Sequence, residues 1–283
     1  MHPTHLTGVF FALLAAVLYG AGDFSGGVAS RRHHVAQVLL LASCASMVLL
    51  GVLVVLLGEA VPPPADLFWA GLAGIAGALG LAALYRALAM GNVALVAPTA
   101  GVIGAGLPVV WGAFTEGLPS PAQLLGFIAA VFGIWFVTRN GPASATGKPR
   151  QSGLILAILA GIAFGAFFIL IAQMDSSAVL LPLLVAKGAA ACIALLLVAF
   201  GEMPLPSIRR NPYALLAGAL DGVANAIYLL AQHHTRLDVA VVLTSLYPAV
   251  TVLLACLLLK AKISGSQWAG VLLCLVAIAL IVA

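Results

Sequence analysis

Long apolar segments separated by short polar ones fill the sequence almost from end to end. Each is about 20 residues long, which is enough to cross the hydrocarbon core of a bilayer as a helix. The ten segments cover residues 6–24, 35–57, 67–89, 93–115, 120–138, 152–172, 178–200, 213–232, 238–259 and 266–283. Because lipid cannot satisfy the polar groups of an open strand, each segment is predicted to be helical. We therefore predict an all-α integral membrane protein with ten transmembrane helices.

The composition also favours a membrane protein over a soluble one. Charged residues make up 7% of the chain and apolar types 64%, whereas about a quarter of the residues in a soluble domain are charged. The basic residues behind the net charge of +4 are scattered rather than gathered in a stripe, so no nucleic-acid partner is expected. The expected surroundings are a lipid bilayer, with the chain as a multi-pass protein of the cytoplasmic (inner) membrane.

The two halves of the chain resemble each other. A shift of 144 residues places one set of residues over another: Ser120, Gln123 and Gly126 over Ser264, Gln267 and Gly270. Each half holds five predicted helices, and because five is odd, the second half would enter the membrane from the opposite side. We predict one repeat over residues 1–140 and a second, inverted repeat over 151–283. Inverted repeats are typical of secondary transporters, which open a central site to either face in turn.

Four charged residues fall inside the predicted helices. Lys187 and Asp221 lie near mid-depth of helices 7 and 8, and Asp23 and Arg86 lie nearer the ends of helices 1 and 3. A charge at the centre of a membrane helix costs about 2.5–3.5 kcal/mol on insertion scales, so it is normally paired or faces a wet cavity. These four residues are candidates for binding a substrate or a proton.

The spacing of polar residues in helix 8 extends this candidate site. Asp221, Asn225 and Tyr228 are separated by four and three residues, so they share one face of the helix, and Asn225 and Tyr228 join the candidates. Structural alternatives stay open for the charges. Lys187 and Asp221 would then be an ion pair that joins two helices, Arg86 would reach the membrane interface through its long stem, and Asp23 would cap a helix end.

Glycine and proline are expected to break some of these helices. Asp23 lies in YGAGDFSGG, whose glycines would loosen helix 1, and Pro98, Pro182 and Pro248 would interrupt helices 4, 7 and 9. The sequence contains no recognised catalytic motif, nucleotide-binding loop or metal-binding cluster. We therefore expect no enzymatic activity, no cofactor and no metal, and transport would draw on a proton or substrate gradient.

Three stretches carry a resemblance to a known family: YGAGDFSGGVASRR at 19–32, LYRALAMGNVALVAPT at 84–99 and LTSLYPAVTVLLACLLLKAKISGSQWAG at 243–270. In these stretches the chain resembles the EamA-like proteins of the drug/metabolite transporter superfamily. The resemblance covers nearly the whole chain and implies a ten-helix secondary transporter with a central cavity between its repeats. It also implies the following cavity-lining candidates: Tyr19, Tyr85, Pro98, Phe164 and Tyr247.

The function expected from these features is export of a small organic solute, such as an amino acid, an amine or a drug-like compound, by alternating access. A lipid-linked flippase and a non-transporting membrane scaffold are the alternatives, and the chain would act as a monomer or a homodimer. The halves are not identical, since Glu116 corresponds to Lys260 and Pro248 to Gly104.

Loop charges and the family resemblance disagree about orientation. Nine basic residues lie in loops after odd-numbered helices, and one, Arg236, lies in a loop after an even-numbered helix. The positive-inside rule then places both termini outside the cytoplasm, whereas the resemblance implies that both termini are inside.

Overall fold

The computed structural model describes residues 3–91, 93–115, 120–139, 150–174, 178–234, 243–244 and 246–282. Within these ranges the chain forms helices and no strand, so the predicted all-α class is confirmed there. Besides a short 3-10 helix at Ile208–Arg210, ten helices are described: α1 Pro3–Ala29, α2 Val35–Leu57, α3 Pro64–Ala89, α4 Val93–Thr115, α5 Pro121–Arg139, α6 Arg150–Ile171, α7 Leu180–Phe200, α8 Pro212–His234, α9 Tyr247–Leu259 and α10 Gly265–Val282.

Six of these helices, α1 to α4 together with α6 and α7, are long and apolar enough to cross a membrane, by length and composition. The described parts of α5, α9 and α10 are apolar but shorter. Large apolar side chains point outward from the bundle; Val55, Phe114 and Phe200 are 80%, 86% and 84% exposed. Such an extensive apolar exterior is suited to lipid rather than to water, so the chain is a multi-pass membrane protein.

Helix α1 runs unbroken from Pro3 to Ala29, through the glycines on either side of Asp23. The expectation that these glycines loosen the helix is therefore wrong. Their lack of a side chain is used for packing instead, because Gly22 lies against α8 and Gly26 lies against the ring of Tyr85 in α3. Small residues at such contacts let helix backbones approach closely.

The prolines occupy two kinds of position. Pro182 and Pro248 lie in the first turns of α7 and α9, where a backbone N–H has no partner within the helix and its loss costs little. Pro182 therefore begins a helix rather than interrupting one. Pro248 follows a turn at Leu246, between helical residues at 243–244 and the start of α9, so the predicted helix over 238–259 is interrupted there. Pro98 and Pro108 do lie inside α4. The predicted helix over 238–259 is described as α9 from Tyr247 onward, and much of its earlier part lies outside the described residues.

The first five helices pack mainly against the last five. Helix α1 contacts α8 and α9, α2 contacts α7 and α8, α3 contacts α6 and α7, α4 contacts α6, and α5 contacts α10. If each helix is replaced by the helix five places away in the chain, the contact between α1 and α8 becomes one between α6 and α3. The contact between α4 and α6 likewise becomes one between α9 and α1. Both products are observed contacts. The principal helix contacts are therefore nearly unchanged when the two halves are exchanged.

Glycines mark matched contacts between the halves. Gly74 of α3 lies directly against the backbone of Ala186 in α7, and Gly218 of α8 lies directly against the backbone of Ala42 in α2. Gly218 follows Gly74 by 144 positions, and Ala186 follows Ala42 by the same number. A side chain at either glycine would collide with backbone atoms, which cannot rotate aside. The two contacts are therefore equivalent in position and in chemistry.

Helices α5 and α10 pack through glycine and run antiparallel. A Cβ atom on Gly126 would lie 3.0 Å from the carbonyl oxygen of Ala277, and one on Gly133 would lie 3.2 Å from the carbonyl oxygen of Gly270. A step of seven residues forward on α5 thus moves the contact seven residues back on α10.

Helices α2 and α7 show the same relation. Gly51 faces Leu184, and Met47 faces Gly188, one turn earlier on α2 and one turn later on α7. These two helices therefore also run antiparallel. The carboxylate of Glu59, just after α2, accepts backbone N–H groups at the start of α7, including those of Val179 at 2.8 Å and Leu180 at 3.0 Å, and thereby joins the end of α2 to the beginning of α7.

The serine and glutamine pairs on which the predicted repeat rests form two capping boxes. The Ser120 N–H donates to Gln123 Oε1 at 2.9 Å, and the Gln123 N–H donates to Ser120 Oγ at 3.2 Å. Ser264 and Gln267 exchange the same two hydrogen bonds at 3.0 and 3.3 Å. A capping box satisfies two unpaired donors at a helix start. The repeated residues therefore have the same structural role at α5 and α10.

Candidate functional site

Lys187 of α7 and Asp221 of α8 form an ion pair within the helix bundle. Lys187 Nζ lies 2.7 Å from Asp221 Oδ2, and the two side chains keep 16% and 22% of their accessible surface. The pair is therefore half-buried rather than sealed in an apolar core. Each of the two mid-depth charges has the other as its partner, which is the usual way in which a membrane interior accommodates a charge.

Helix α2 contributes a third group to this pair. It contacts both α7 and α8, and its buried Ser46 donates a hydrogen bond from Oγ to Asp221 Oδ2 at 2.9 Å. Hydrogen bonds to a charged acceptor are stronger than neutral ones, so Ser46 and Lys187 together fix the orientation of the carboxylate. Sequence reasoning missed Ser46, because a single serine in an apolar helix carries no distinguishing pattern.

The face of α8 that carries Asp221, Asn225 and Tyr228 forms a polar stripe, which continues from the ion pair toward the end of the helix. The Asn225 amide turns back on its own helix, where Nδ2 donates to the backbone carbonyl of Asp221 at 2.7 Å. Tyr228 packs against Ala12 of α1 and Ala231 of α8. Asn225 and Tyr228 are both half-buried. The stripe therefore follows the side of α8 that is packed within the bundle.

Asp23 lies on α1 where three other helices converge. Within one turn of it, Gly20 packs against α9, Gly22 packs against α8, and Gly26 packs against the ring of Tyr85 in α3. Asp23 itself keeps some accessible surface and is half-buried. Asp23 therefore lies between several helices and is not fully buried.

Asp23 also lies within electrostatic range of both members of the ion pair, Lys187 and Asp221. Two tyrosines from other helices, Tyr85 and Tyr247, lie within the same range of Asp23. No hydrogen-bond or ion-pair partner of the Asp23 side chain is found among the described residues. The structure thus brings together the charges that the sequence placed on helices 1, 7 and 8.

The remaining candidates occupy different surroundings. Pro98 is buried inside α4, and half-buried Phe164 of α6 packs between Gly80 of α3 and Gly104 of α4. Arg86 is exposed near the end of α3, apart from the half-buried ion pair. This exposure fits the alternative in which the long stem of an arginine reaches the membrane interface.

The charged pair has no charged counterpart in the first half of the chain. The residues 144 positions before Lys187 and Asp221 are Ser43 and Gly77. Phe167 of α6 packs against Gly77, where an added Cβ atom would lie 3.3 Å from the ring. The equivalent location is thus filled by small and aromatic groups, so the polar site is asymmetric although the helix packing is nearly symmetric.

A small pocket near the C-terminal end of α1 is separate from this cluster. Apolar residues of α1, α3, α4 and α9 line it together with Arg31 and Thr251. Partial burial lowers the pKa of Arg31, but an arginine guanidinium stays charged at physiological pH. None of the candidate site residues lines this pocket.

Comparisons with known proteins agree with this architecture. Residues 151–283 match the family model of the EamA-like transporter family. A solved crystal structure is similar over 98% of this chain and 97% of its own, with a TM-score of 0.62 and 18% sequence identity, a likeness that shows the fold alone. No curated protein matches the chain significantly. The family resemblance is confirmed over residues 151–283, which match the EamA-like transporter family, and the chain is a multi-pass membrane protein.

Proposed function

We propose that the chain is a secondary transporter that exports a small organic solute across the cytoplasmic (inner) membrane by alternating access. The EamA-like domain supports membrane transport of small solutes as the general activity. The observation that carries the proposal is the half-buried Lys187–Asp221 pair with Asp23 beside it. Charges inside membrane helices are costly, and they commonly mark substrate or ion pathways.

Helix packing supports the two inverted repeats that this mechanism requires, over residues 1–140 and 151–283, with ten membrane-spanning helices. The matched contacts of Gly74 and Gly218 link equivalent positions. The corresponding helices α2 and α7 run antiparallel, as do α5 and α10, which is the relation that inversion produces. The first repeat lies outside the family match, so these contacts are its main support.

The hydrogen bond between Ser46 and Asp221 is the contact that would change between the two states. Ser46 belongs to the first repeat, whereas Lys187 and Asp221 belong to the second, and the Ser46–Asp221 hydrogen bond joins the two. Rocking one repeat against the other would alter this contact and open the charged cluster to one face and then to the other. A proton or substrate gradient would supply the free energy for net export.

The variant Asp221→Asn tests this proposal. We expect gradient-driven flux in proteoliposomes to fall at least tenfold, because the amide keeps the shape of the carboxylate but not its charge. The variant should remain folded, with a lower melting temperature than the wild type, because Lys187 loses its charged partner. The assay uses radiolabelled amino acids and amines chosen because they raise the melting temperature of the purified protein.

Glu202→Gln is the matched control, since Glu202 is exposed in the loop after α7 and its neutralisation should leave flux unchanged. Undiminished flux in Asp221→Asn would remove Asp221 from the site. Scrambling of a fluorescent lipid by the same vesicles, without solute flux, would favour the flippase alternative.

A further inference from the structure

We infer that the transported solute is a monovalent organic amine, whose ammonium group is held by Asp23 among the rings of Tyr19, Tyr85 and Tyr247. The inference rests on the proposed function and names the substrate class of that same site. It follows from three features of the described residues around Asp23, Lys187 and Asp221. These are the charges of the three side chains, the tyrosines that neighbouring helices contribute, and the pairing of the Lys187 ammonium group with Asp221.

The cluster of Asp23, Lys187 and Asp221 holds more carboxyl groups than ammonium groups. Asp23 and Asp221 contribute two carboxylates, and Lys187 contributes one ammonium group. Lys187 and Ser46 already satisfy Asp221, whereas Asp23 has no hydrogen-bond or ion-pair partner among the described residues. An unpaired carboxylate enclosed by helices is unfavourable unless a proton or a cation neutralises it. A cation bound at Asp23 would therefore take the place of a proton.

Tyrosines from three helices lie near the position that this charge would take. Tyr19 precedes Asp23 by about one turn of α1 and shares its face. Tyr85 of α3 is 2% exposed and packs its ring on Gly26. Tyr247 begins α9 and lies within electrostatic range of Asp23. Aromatic faces attract organic cations, and most strongly where water is excluded. A cation with an apolar body therefore fits these surroundings better than a hydrated metal ion.

The ion pair disfavours the other classes of small solute. An anion would meet the unpaired carboxylate of Asp23. A zwitterion would need Lys187 for its carboxylate, and Lys187 could serve only by releasing Asp221, to which it is bound at 2.7 Å. An amine needs neither change. We therefore expect the site to select by charge among solutes of the same shape.

Three probes with the same ring test this selection: 2-phenylethylamine, phenylalanine and 3-phenylpropionate. Binding to the purified full chain is measured by calorimetry near pH 7. We expect the amine to bind at least tenfold more tightly than phenylalanine, and the anion not to bind. Asp23→Asn should weaken amine binding at least tenfold, and Tyr19→Leu should weaken it severalfold, while Glu202→Gln leaves it unchanged.

The outcomes separate this inference from the proposed function. If vesicles transport phenylalanine or 3-phenylpropionate but neither bind nor move the amine, the transporter stands and the amine assignment is overturned. The amine assignment is also overturned if Asp23→Asn folds and binds the amine as tightly as the wild type. If Asp23→Asn does not fold, the order of the three probes on the wild type decides the question. If no solute of a broad amine and amino-acid panel is bound or moved, both proposals fail.

Discussion

Asp221 collects its hydrogen-bonding partners from three helices. Its Oδ2 atom contacts Lys187 of α7 and Ser46 of α2, and its backbone carbonyl accepts the amide of Asn225 one turn further along α8. Removing one member of a buried ion pair leaves the other charge unpaired, which destabilises a protein more than replacing both members with apolar groups. The relative stability of variants at this pair can therefore be predicted.

Lys187→Met should destabilise the protein by about 1–3 kcal/mol, because it leaves the carboxylate of Asp221 without its cation. The double variant Lys187→Met/Asp221→Leu should regain most of this loss, since it removes both charges. Thermal unfolding in detergent measures the difference. A double variant that is as unstable as Lys187→Met alone would show that the pair does not stabilise the fold in this way.

The partnership of Lys187 and Asp221 could be predicted from the sequence, whereas the hydrogen bond that Ser46 adds to it could not. Lys187 and Asp221 each need a partner inside the membrane, and the opposite charge of one makes it a suitable partner for the other. Ser46 joins them only because the face of α2 that carries it is turned toward α8. Close packing between Ala42 and Gly218 sets that face, and such a contact between distant segments leaves no pattern within α2 alone.

At the scale of helices, close backbone contact depends on individual glycines. Gly71 and Gly74 lie one turn apart on α3 but have opposite surroundings. No atom lies within 4 Å of a Cβ placed on Gly71, whereas a Cβ on Gly74 would strike the backbone of Ala186. The two glycines therefore form a matched pair for testing how the halves pack.

Gly74→Ala should destabilise the protein by about 1–3 kcal/mol through overpacking, and Gly218→Ala should behave alike because its contact with Ala42 is equivalent. Gly71→Ala should be neutral or stabilising by up to about 1 kcal/mol, since alanine favours a helix more than glycine does. Melting temperatures of the three variants give the comparison. Equal losses for Gly71→Ala and Gly74→Ala would contradict the packing described between α3 and α7.

The existence of most helices followed from hydropathy, but their ends did not. Hydropathy reports where a segment prefers lipid, not where backbone hydrogen bonding begins. This is why α1 continues five residues beyond the predicted end at 24, and why Pro182 proved to start a helix. Capping residues carry the missing information, as Ser120 and Ser264 do at α5 and α10.

At the scale of the whole molecule, a nearly symmetric set of helix contacts surrounds an asymmetric polar cluster. The exchange of halves preserves the main helix pairs but replaces Lys187 and Asp221 by Ser43 and Gly77. Such an arrangement suits a carrier in which symmetry allows two opposite states and a single set of charges serves both. The proposed alternating access therefore requires that one charged cluster be reachable from both faces of the membrane.

A single cysteine beside the ion pair would show whether the cluster is reachable in this way. In a chain whose four native cysteines are replaced by serine, Asn225→Cys is reconstituted in vesicles and exposed to an impermeant maleimide from the outside or from the lumen. A cysteine at Arg209, in the exposed loop before α8, is the control and should react from one face only. We expect Asn225→Cys to react from either face and a transported solute to slow both reactions; reaction from one face only, with or without solute, would contradict alternating access at this site.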